Sequence, residues 1–382
     1  MASSHIVEVC TVSAKEPMAN ADKLEVLAIK GWRVVAQKDL VNVGDRVIYL
    51  PPDSIITEAY ADQLGIAKYC SPLSKRADGT REPGYRIRAC RLRGEPSYGT
   101  IDHEVPADWE VGKDVAEILG VRKWEPPVRV GGSTNLGIQG DQCIANPYFF
   151  KYTDIENINN FPDVLKEGEE VICTEKIHGC NWRAGLVCEA DPNTGVLESI
   201  FIAGTHHTQR KEFATNGNTT SFWLPLDGSM RRFLKFVQKL YSKPTMLANV
   251  IIFGEMFNTQ TGFWYGATNG ECPVSLFDIS VNGKYLDYDR FMWLCNYNHI
   301  ATVPLIYRGP FSQELLRQHT HGPTTMCDKL AAGKFAGREG VVVRPTTERV
   351  YGYKRAIFKS ISVDYLDYKT GKGKNDEEVS DA

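Results

Sequence analysis

Four short runs of β-branched and aromatic residues, IVEVCTVSA, LEVLAIKGWRVVA, RVIYLPP and YRIRACRLR, fill the start of this chain. Turn-forming pieces (NADK, NVGD, ADGTREPG) separate them. Several antiparallel strands this short and this close together predict a small barrel. A Pro- and Gly-rich stretch, Trp124 to Pro147, then reads as a connector. Beyond it, strand patterns mix with a few amphipathic helices. One helix is expected from near Ser229, with Phe233, Phe236, Val237 and Leu240 as its apolar stripe and Pro244 as its stop. The segment after Thr370, TGKGKNDEEVSDA, has almost no apolar content and reads as disordered.

The chain has 382 residues, room for two domains, and its 42% hydrophobic and 24% charged content is that of a globular protein. A net charge of −3 excludes a uniformly basic nucleic-acid binder, but not a local patch. From Lys75 to Arg93 the chain carries seven Lys or Arg against Asp78 and Glu82, a local excess of +5. Tyr85 with alternating Arg86, Arg88 and Arg91 makes this either a solvated basic loop or a strand facing a polyanion. Ten cysteines without a CxxC pair, several in apolar runs (Cys10, Cys173, Cys188, Cys295), read as buried thiols of a reducing compartment. His206-His207 and His319-x-His321 have no Cys or carboxylate cluster beside them and read as surface or substrate-facing histidines. MASSHIVEV has no signal-peptide core and no apolar run approaches 18 residues. The expectation is a soluble intracellular protein, cytoplasmic or nuclear, with no membrane partner.

For chemistry the informative segment is TEKIHGCNWR, residues 174–183. The apolar run Val171-Ile172-Cys173 predicts a strand that delivers Lys176 into a tight turn at Gly179. Its amine would then meet a ligand and serve as a nucleophile, provided its neighbours lower the pKa from about 10.4 towards neutrality. An exposed hairpin lysine is the plain alternative for these residues alone. Four later segments bear on the choice. VIIFGEMF ends a strand in Gly254-Glu255, an acid placed to accept ribose hydroxyls or hold a metal-bound water. VSLFDISV puts Phe277 at a sheet position, as core or as a stacking partner for a base. REGVVVRP sets Glu339 at the mouth of a valine strand, with Arg344 near enough for a second contact. KRAIFKSISVDYL places Lys359 in an alternating strand where a cation can face a phosphate. Each is a common surface feature; five in one order are not.

That order, K-x-x-G, GE, FD, EG-V-V-V and a late strand lysine, resembles the covalent nucleotidyltransferase superfamily of ATP-dependent DNA ligases, RNA ligases and GTP-using capping enzymes. E-K-I-H-G-x-N is similar to the RNA ligase branch. His178 stands where DNA ligases carry aspartate, and Asn181 where DNA ligases and capping enzymes usually carry arginine. MANADKLEVLAI and RLRGEPSYGTI resemble the OB-fold modules of tRNA-binding domains. An OB module ahead of the catalytic domain looks like the RNA ligase group with an N-terminal OB domain.

The resemblance implies an α+β protein. An OB-like β-barrel (residues 1–122) and a linker (123–147) would precede a nucleotidyltransferase domain of antiparallel sheets flanked by helices (148–368), with a disordered tail (369–382). It implies an ATP-dependent RNA ligase that joins a 3′-hydroxyl to a 5′-phosphate through a lysyl-AMP, using Mg²⁺ or Mn²⁺ and acting on RNA ends or a nicked duplex as a monomer. Lys176, Glu339 and Lys359 would carry the chemistry. Glu175, His178, Gly179, Asn181, Arg210, Glu255 and Phe277 would bind the nucleotide, with Asn181 also serving the polynucleotide-facing steps. Glu255 and Glu339 would hold the metal. Two departures stand out. The family's Ser-Arg pair falls at FIAGTHHTQRK, with His206 close to the arginine's place and Arg210 and Lys211 the nearest cations. The usual K-x-K ending is Lys359-Ser360-Ile361, leaving Lys354 as a candidate second lysine. A DNA ligase, a GTP-dependent capping-type enzyme and a non-catalytic OB-fold RNA-binding protein are the competing readings.

Overall fold

In the computed structural model, which describes residues 5–73, 81–124, 141–190, 195, 197–258, 262–268 and 270–370, the first apolar run becomes the long strand Glu8–Pro17. It pairs antiparallel with Arg46–Leu50 through residues 8–11 and with Leu24–Ile29 through residues 12–17. A register shift between Val12 and Ala14 lets one strand bend between two partners. Thr100–Asp102 and Trp32–Gln37 form the outer strands of this five-stranded sheet. The two edges are drawn together. Ser97 Oγ accepts the Val35 N–H at 3.0 Å, and the Tyr49 hydroxyl donates to the Tyr98 carbonyl at 2.8 Å. Val12, Leu27, Ile29, Val34 and Val47 fill the interior with no exposed surface. The result is the nearly closed barrel expected from the strand pattern.

The run YRIRACRLR is not one strand. It splits into Tyr85–Arg86 and Ala89–Leu92, because Ile87 exchanges backbone hydrogen bonds with Ser54 and Asp53, both at 2.8 Å. Its arginines are unequal. Arg86 is paired with Asp53 and lies 3.3 Å above the Trp124 ring, and Arg91 is paired with Asp367 at 2.9 Å. Arg88 keeps its Nε buried without a hydrogen-bond partner, and burial, followed by Arg86, holds its pKa below the usual value. Lys75, Arg76, most of the expected linker and the tail from residue 371 lie outside the described residues.

Contacts divide the chain into two units, Met1–Val130 with Glu156–Asp163 and Leu366–Ala382, and Gly131–Ile155 with Val164–Tyr365. The second unit is built on two antiparallel sheets. In one, Phe358–Ile361, Gly340–Pro345, Glu170–Glu175 and Leu305–Pro310 lie side by side in that order. The other runs Gln209–Arg210, Leu197–Thr205, Cys180–Ala190, Val250–Met256, Val274–Val281, Lys284–Tyr285. Its outer face packs on the helices Gly228–Tyr241 and Tyr288–Tyr297 through Trp182, Ala184, Ile252, Phe233 and Phe291. The first helix is capped by Asp227, whose carboxylate accepts the Met230 N–H at 2.8 Å. Its buried stripe is Met230, Phe233, Leu234 and Val237, while Leu240 is 45% exposed. The expected stripe was rotated: around a 3.6-residue helix Met230 and Leu234 lie to one side of Phe233 and Phe236 and Leu240 to the other, and it is the first side that is buried. Among the described residues, no helix is long and apolar enough to cross a membrane.

Between the sheets, Phe149, Tyr152, Phe253 and Ile357 form a core against which Phe277 and Val342 pack. Deeper in the same space lies a buried ionic cluster. Asp278, with no exposed surface, accepts from Tyr152 at 2.8 Å, Arg355 at 2.8 Å and Arg344 at 3.3 Å, and Glu348 takes the remaining reach of both arginines. Arg344, read from the sequence as a second ligand contact, is spent here instead. It shares the face of Val342 but sits two residues deeper. Removing one member of a buried ion cluster leaves the others uncompensated. Asp278→Asn should therefore lower stability by about 3 kcal/mol, read from the midpoint of urea denaturation at unchanged slope.

Candidate active site

The strand Glu170–Glu175 places Thr174 opposite Val342, and Val342 opposite Lys359. These three residues make a row across one sheet. Lys176, two residues beyond Thr174, follows on the same face. Its N–H donates to the Gly340 carbonyl at 3.0 Å, so the chain leaves the sheet beside Glu339, and Lys176 Nζ comes to rest 2.8 Å from Glu339 Oε1. Gly179 closes the turn. A Cβ there would lie 2.3 Å from the Met256 carbonyl oxygen, so no other residue lets the turn press so closely on the neighbouring strand. That approach brings Asn181 opposite Glu255.

Phe277 owes its position to a β-bulge. Phe253 faces Asp278 and Gly254 faces Leu276, which makes Phe277 the extra residue. Gly254 is needed because a Cβ would fall 2.6 Å from Val274 Cγ1. The Phe277 ring meets Tyr152 edge-on at 4.9 Å and packs on the same core as Val342, whose row ends in Lys359. Lys176, Lys359, Phe277, Asn181, Glu255 and Glu339 thus border the space where the two sheets open.

Three predicted residues have other neighbours. Glu175 points to the opposite face of its strand, where its carboxylate accepts from Thr324 Oγ1 at 2.5 Å, Thr325 N at 2.7 Å and Thr325 Oγ1 at 2.6 Å. Its N–H donates to the Pro304 carbonyl. Arg210 pairs with Ala203 on the helix-bearing face, where its guanidinium binds Asp141 and lies 5.8 Å from the Phe222 ring centre. Lys354 belongs to a separate hairpin with Tyr351. His178 holds the carboxylate that pairs with Lys176. Its Nδ1 is 3.2 Å from Glu339 Oε2 and 2.9 Å from the Tyr365 hydroxyl, and its N–H donates to the Tyr265 hydroxyl at 3.0 Å. Tyr265 and Tyr365 were missed in the sequence, where isolated aromatics in FWYG and VDYL carry no spacing that marks them.

The RNA ligase family profile matches residues 169–361, half of the chain, from the strand before Lys176 to the strand of Lys359. The chain belongs to the RNA ligase family. An OB-fold domain profile matches residues 6–103. Among solved structures, the ligase shares its fold with a Naegleria gruberi RNA ligase. An unliganded mutant superposes with a TM-score of 0.70 at 24% identity, covering 97% of this chain and all of that one. A mutant with ATP and Mn gives 0.68 at 25% identity, with 96% and 99% coverage. The complex with PPi gives 0.68 at 24%, with the same coverage. Comparison of the sequence with curated proteins gives no significant match.

The resting electrostatics of this ligase run opposite to what a nucleophile needs. Burial alone would depress the Lys176 ammonium, but Glu339 and Glu255 outweigh it and hold the pKa above its ordinary value. Burial also works against the Glu339 carboxylate, yet Lys176 and His178 pull it down to about 2. Because Glu339 is ionised, His178 Nδ1 carries the hydrogen and donates. Glu255 is pushed up to about 7 by burial and by Glu339, against the pull of Lys176. Among the described residues, no group of three or more His, Cys, Asp or Glu forms a ligand set, so no all-protein cage exists. Two acids beside an amine, one of them short of positive charge, fit a hydrated divalent cation that completes its shell with phosphate oxygens. Glu339→Gln removes the main force holding Lys176 charged. In ligand-free enzyme near pH 8, its amine should react with an acylating reagent at least about tenfold faster, one pKa unit's worth, as read by peptide mass spectrometry. An unchanged rate would show that Glu339 does not set the lysine's protonation.

Proposed function

We propose that this ligase seals a 5′-phosphate to a 3′-hydroxyl of RNA at the expense of ATP, through a lysyl-AMP on Lys176. The observation that carries the reading is a strand-end amine 2.8 Å from a buried carboxylate, in a cleft that also presents an aromatic ring and a second lysine. The ATP and Mn bound by the Naegleria enzyme of the same fold support the choice of nucleotide and metal.

In the first step the Lys176 nitrogen bonds to the α-phosphorus, the bond to pyrophosphate breaks and the ammonium proton is lost. That proton leaves to solvent, because Glu255 and Glu339 would both be engaged by the cation. Phe277, freed by its bulge from the regular pleat, stacks on the adenine. Lys359, in line with Val342 and Thr174, faces the phosphates. A divalent cation held by Glu255 and Glu339 would neutralise charge on the α-phosphate and, by occupying both acids, release the lysine from its ion pairs. His178, pinned between Tyr265, Tyr365 and Glu339, positions the Glu339 carboxylate. In the second step an oxygen of the RNA 5′-phosphate takes the AMP and the P–N bond breaks. In the third the 3′-oxygen attacks that 5′-phosphorus and AMP leaves, which closes the strand at free ends or in a nicked duplex.

Incubation with ATP labelled at the α-phosphate, followed by denaturing electrophoresis, should transfer label to the protein, and Lys176→Ala should abolish it. Label from GTP alone would point to capping chemistry, and no label from either nucleotide would leave an RNA-binding protein. The barrel should serve the polynucleotide through phosphates, so binding should weaken as salt rises. Replacing Arg86, Arg88 and Arg91 together by Gln should impair sealing more than self-adenylylation. Arg88→Gln alone should give the larger share of the loss, since Arg86 and Arg91 are held by Asp53 and Asp367. Equal loss in both steps would refute a polynucleotide role for the barrel.

A further inference from the structure

We propose that the two helices on the outer face of the six-stranded sheet, Gly228–Tyr241 and Tyr288–Tyr297, form a docking surface for unpaired RNA. The inference rests on RNA being this ligase's substrate, and not on the route by which it is sealed. The helices cover the face of the sheet that carries Trp182, Ala184 and Ile252. Phe277 packs on the opposite face, between the sheets, where the cleft of Lys176 opens. The sheet therefore separates this surface from the nucleophile, and no group of the active site belongs to it.

Four planar groups lie side by side across the helix pair. The Phe236 and Tyr297 rings stack at 5.4 Å and 22°, and those of Tyr297 and Trp293 at 5.6 Å and 16°. The Arg290 guanidinium continues the row, 4.5 Å from the Trp293 ring centre. It is fixed from the neighbouring helix, since its Nε donates to the Tyr241 hydroxyl at 2.8 Å. At these offsets the rings cover one another only in part, and Trp293 stays 46% and Tyr297 64% exposed. The second helix is seated on the sheet by Tyr288, Phe291, Leu294 and Cys295, all buried. Trp293 and Tyr297, one turn apart, are surplus to that packing. Two large stacked rings held in water mark a surface that another molecule covers.

The charge beside the rings selects the occupant. On the first helix Arg232, Lys235 and Lys239 stand at i, i+3 and i+7, away from the buried Met230, Phe233, Leu234 and Val237, and Lys243 follows its end. All four are exposed, whereas Arg231 is paired with Glu212 at 2.7 Å. The sequence has no acid between Asp227 and Glu255, or between Asp289 and Glu314, and Asp289 is engaged by Arg308. Like charges at this spacing repel one another, and a polyanion relieves them. Rings flanked by cations match the bases and phosphates of a nucleic acid. A duplex keeps its bases stacked inside, so the rings select an unpaired strand. An apolar protein surface would cover the rings and leave the lysines without counter-charge.

The test measures, by fluorescence anisotropy without ATP, the Kd of the full chain for an unpaired RNA with blocked ends and for a duplex of equal length. The parent should bind the unpaired strand more tightly. Trp293→Ala with Tyr297→Ala should weaken that binding about tenfold or more, with its salt dependence unaltered. Trp293→Phe, which keeps a ring, should retain most of the affinity. Lys235→Gln with Lys239→Gln should instead lower the slope of log K against log salt by about 1.4, or 0.7 per charge. Ultraviolet crosslinking should attach the RNA to the peptide that carries Trp293 and Tyr297, which distinguishes this surface from the barrel. Self-adenylylation, whose groups lie across the sheet, should be unchanged in every variant and reports that each is folded. Unchanged affinity in both double variants, or crosslinks confined to the barrel, would overturn the proposal. So would unchanged affinity with an altered sedimentation coefficient in the aromatic variant, which would assign the rings to contact between copies of the chain. Absence of label from ATP in a parent that shows these binding effects would sink the sealing mechanism and leave the surface established.

Discussion

Lys176 and its two carboxylates set the terms for everything around them. A buried ammonium needs counter-charge, and Glu339 at 2.8 Å supplies it with Glu255 behind. The pairing holds the Lys176 amine in its protonated form. Burial, with Glu339 beside it, lifts the Glu255 carboxyl to about 7 against the pull of the shared lysine. Any event that activates the amine must bring a positive charge to those acids. Nucleotide with its cation does so, and an empty cleft does not. The strength of the pairing follows from Coulomb's law in a poorly solvated space. His178 reinforces it, because one imidazole hydrogen and two tyrosine hydroxyls keep Glu339 aimed at the lysine.

That aim depends on two sheets holding their separation. Asp278, Arg344, Arg355 and Glu348 lie deep between them, and the Arg355 guanidinium stacks 3.5 Å from the Tyr285 ring. Buried charges of this kind fix a geometry more than they add stability. The site lies where the same strands continue past this cluster. Phe277 precedes Asp278 directly, and Val342 is two residues from Arg344. One pair of strands thus carries structural ions at depth and ligand-facing groups at the mouth, so a shift of either sheet would be felt at the nucleophile.

Much of this arrangement is written in local pattern, and some is not. The strands around Lys176, Glu255, Glu339 and Lys359 follow from short apolar runs, and their end positions place the acids at the cleft. The barrel likewise follows from four short runs and the turns between them. Alternation alone misplaces three groups. Glu175 and Thr174 are neighbours in sequence but face opposite sides of a strand, and what waits on each side (Thr324 and Thr325, or the cleft) comes from chain about 150 residues away. Arg344 reads as a ligand contact because nothing nearby in sequence reveals Asp278. Arg86, Arg88 and Arg91 read alike, yet Asp53, Trp124 and Asp367 give two of them partners and leave the third's Nε without one. Tyr265 and Tyr365 were invisible for the same reason, since their value lies in meeting His178 across long stretches of chain.

The polar groups of the cleft are sorted by charge, and the sorting follows from the reaction. On the proposed reading, transfer of AMP develops negative charge at the α-phosphate, and Lys176 and Lys359 stand together on one sheet to meet it. A cation that binds the ground state and the transition state alike does not aid the chemistry. Across the cleft, Asn181 carries no charge, and the nearby cations are turned away. Arg210 sits on the far face with Asp141, and Arg183 is tied to the Phe149 and Thr205 carbonyls. Positive charge is thus concentrated where the proposed reaction develops its negative counterpart.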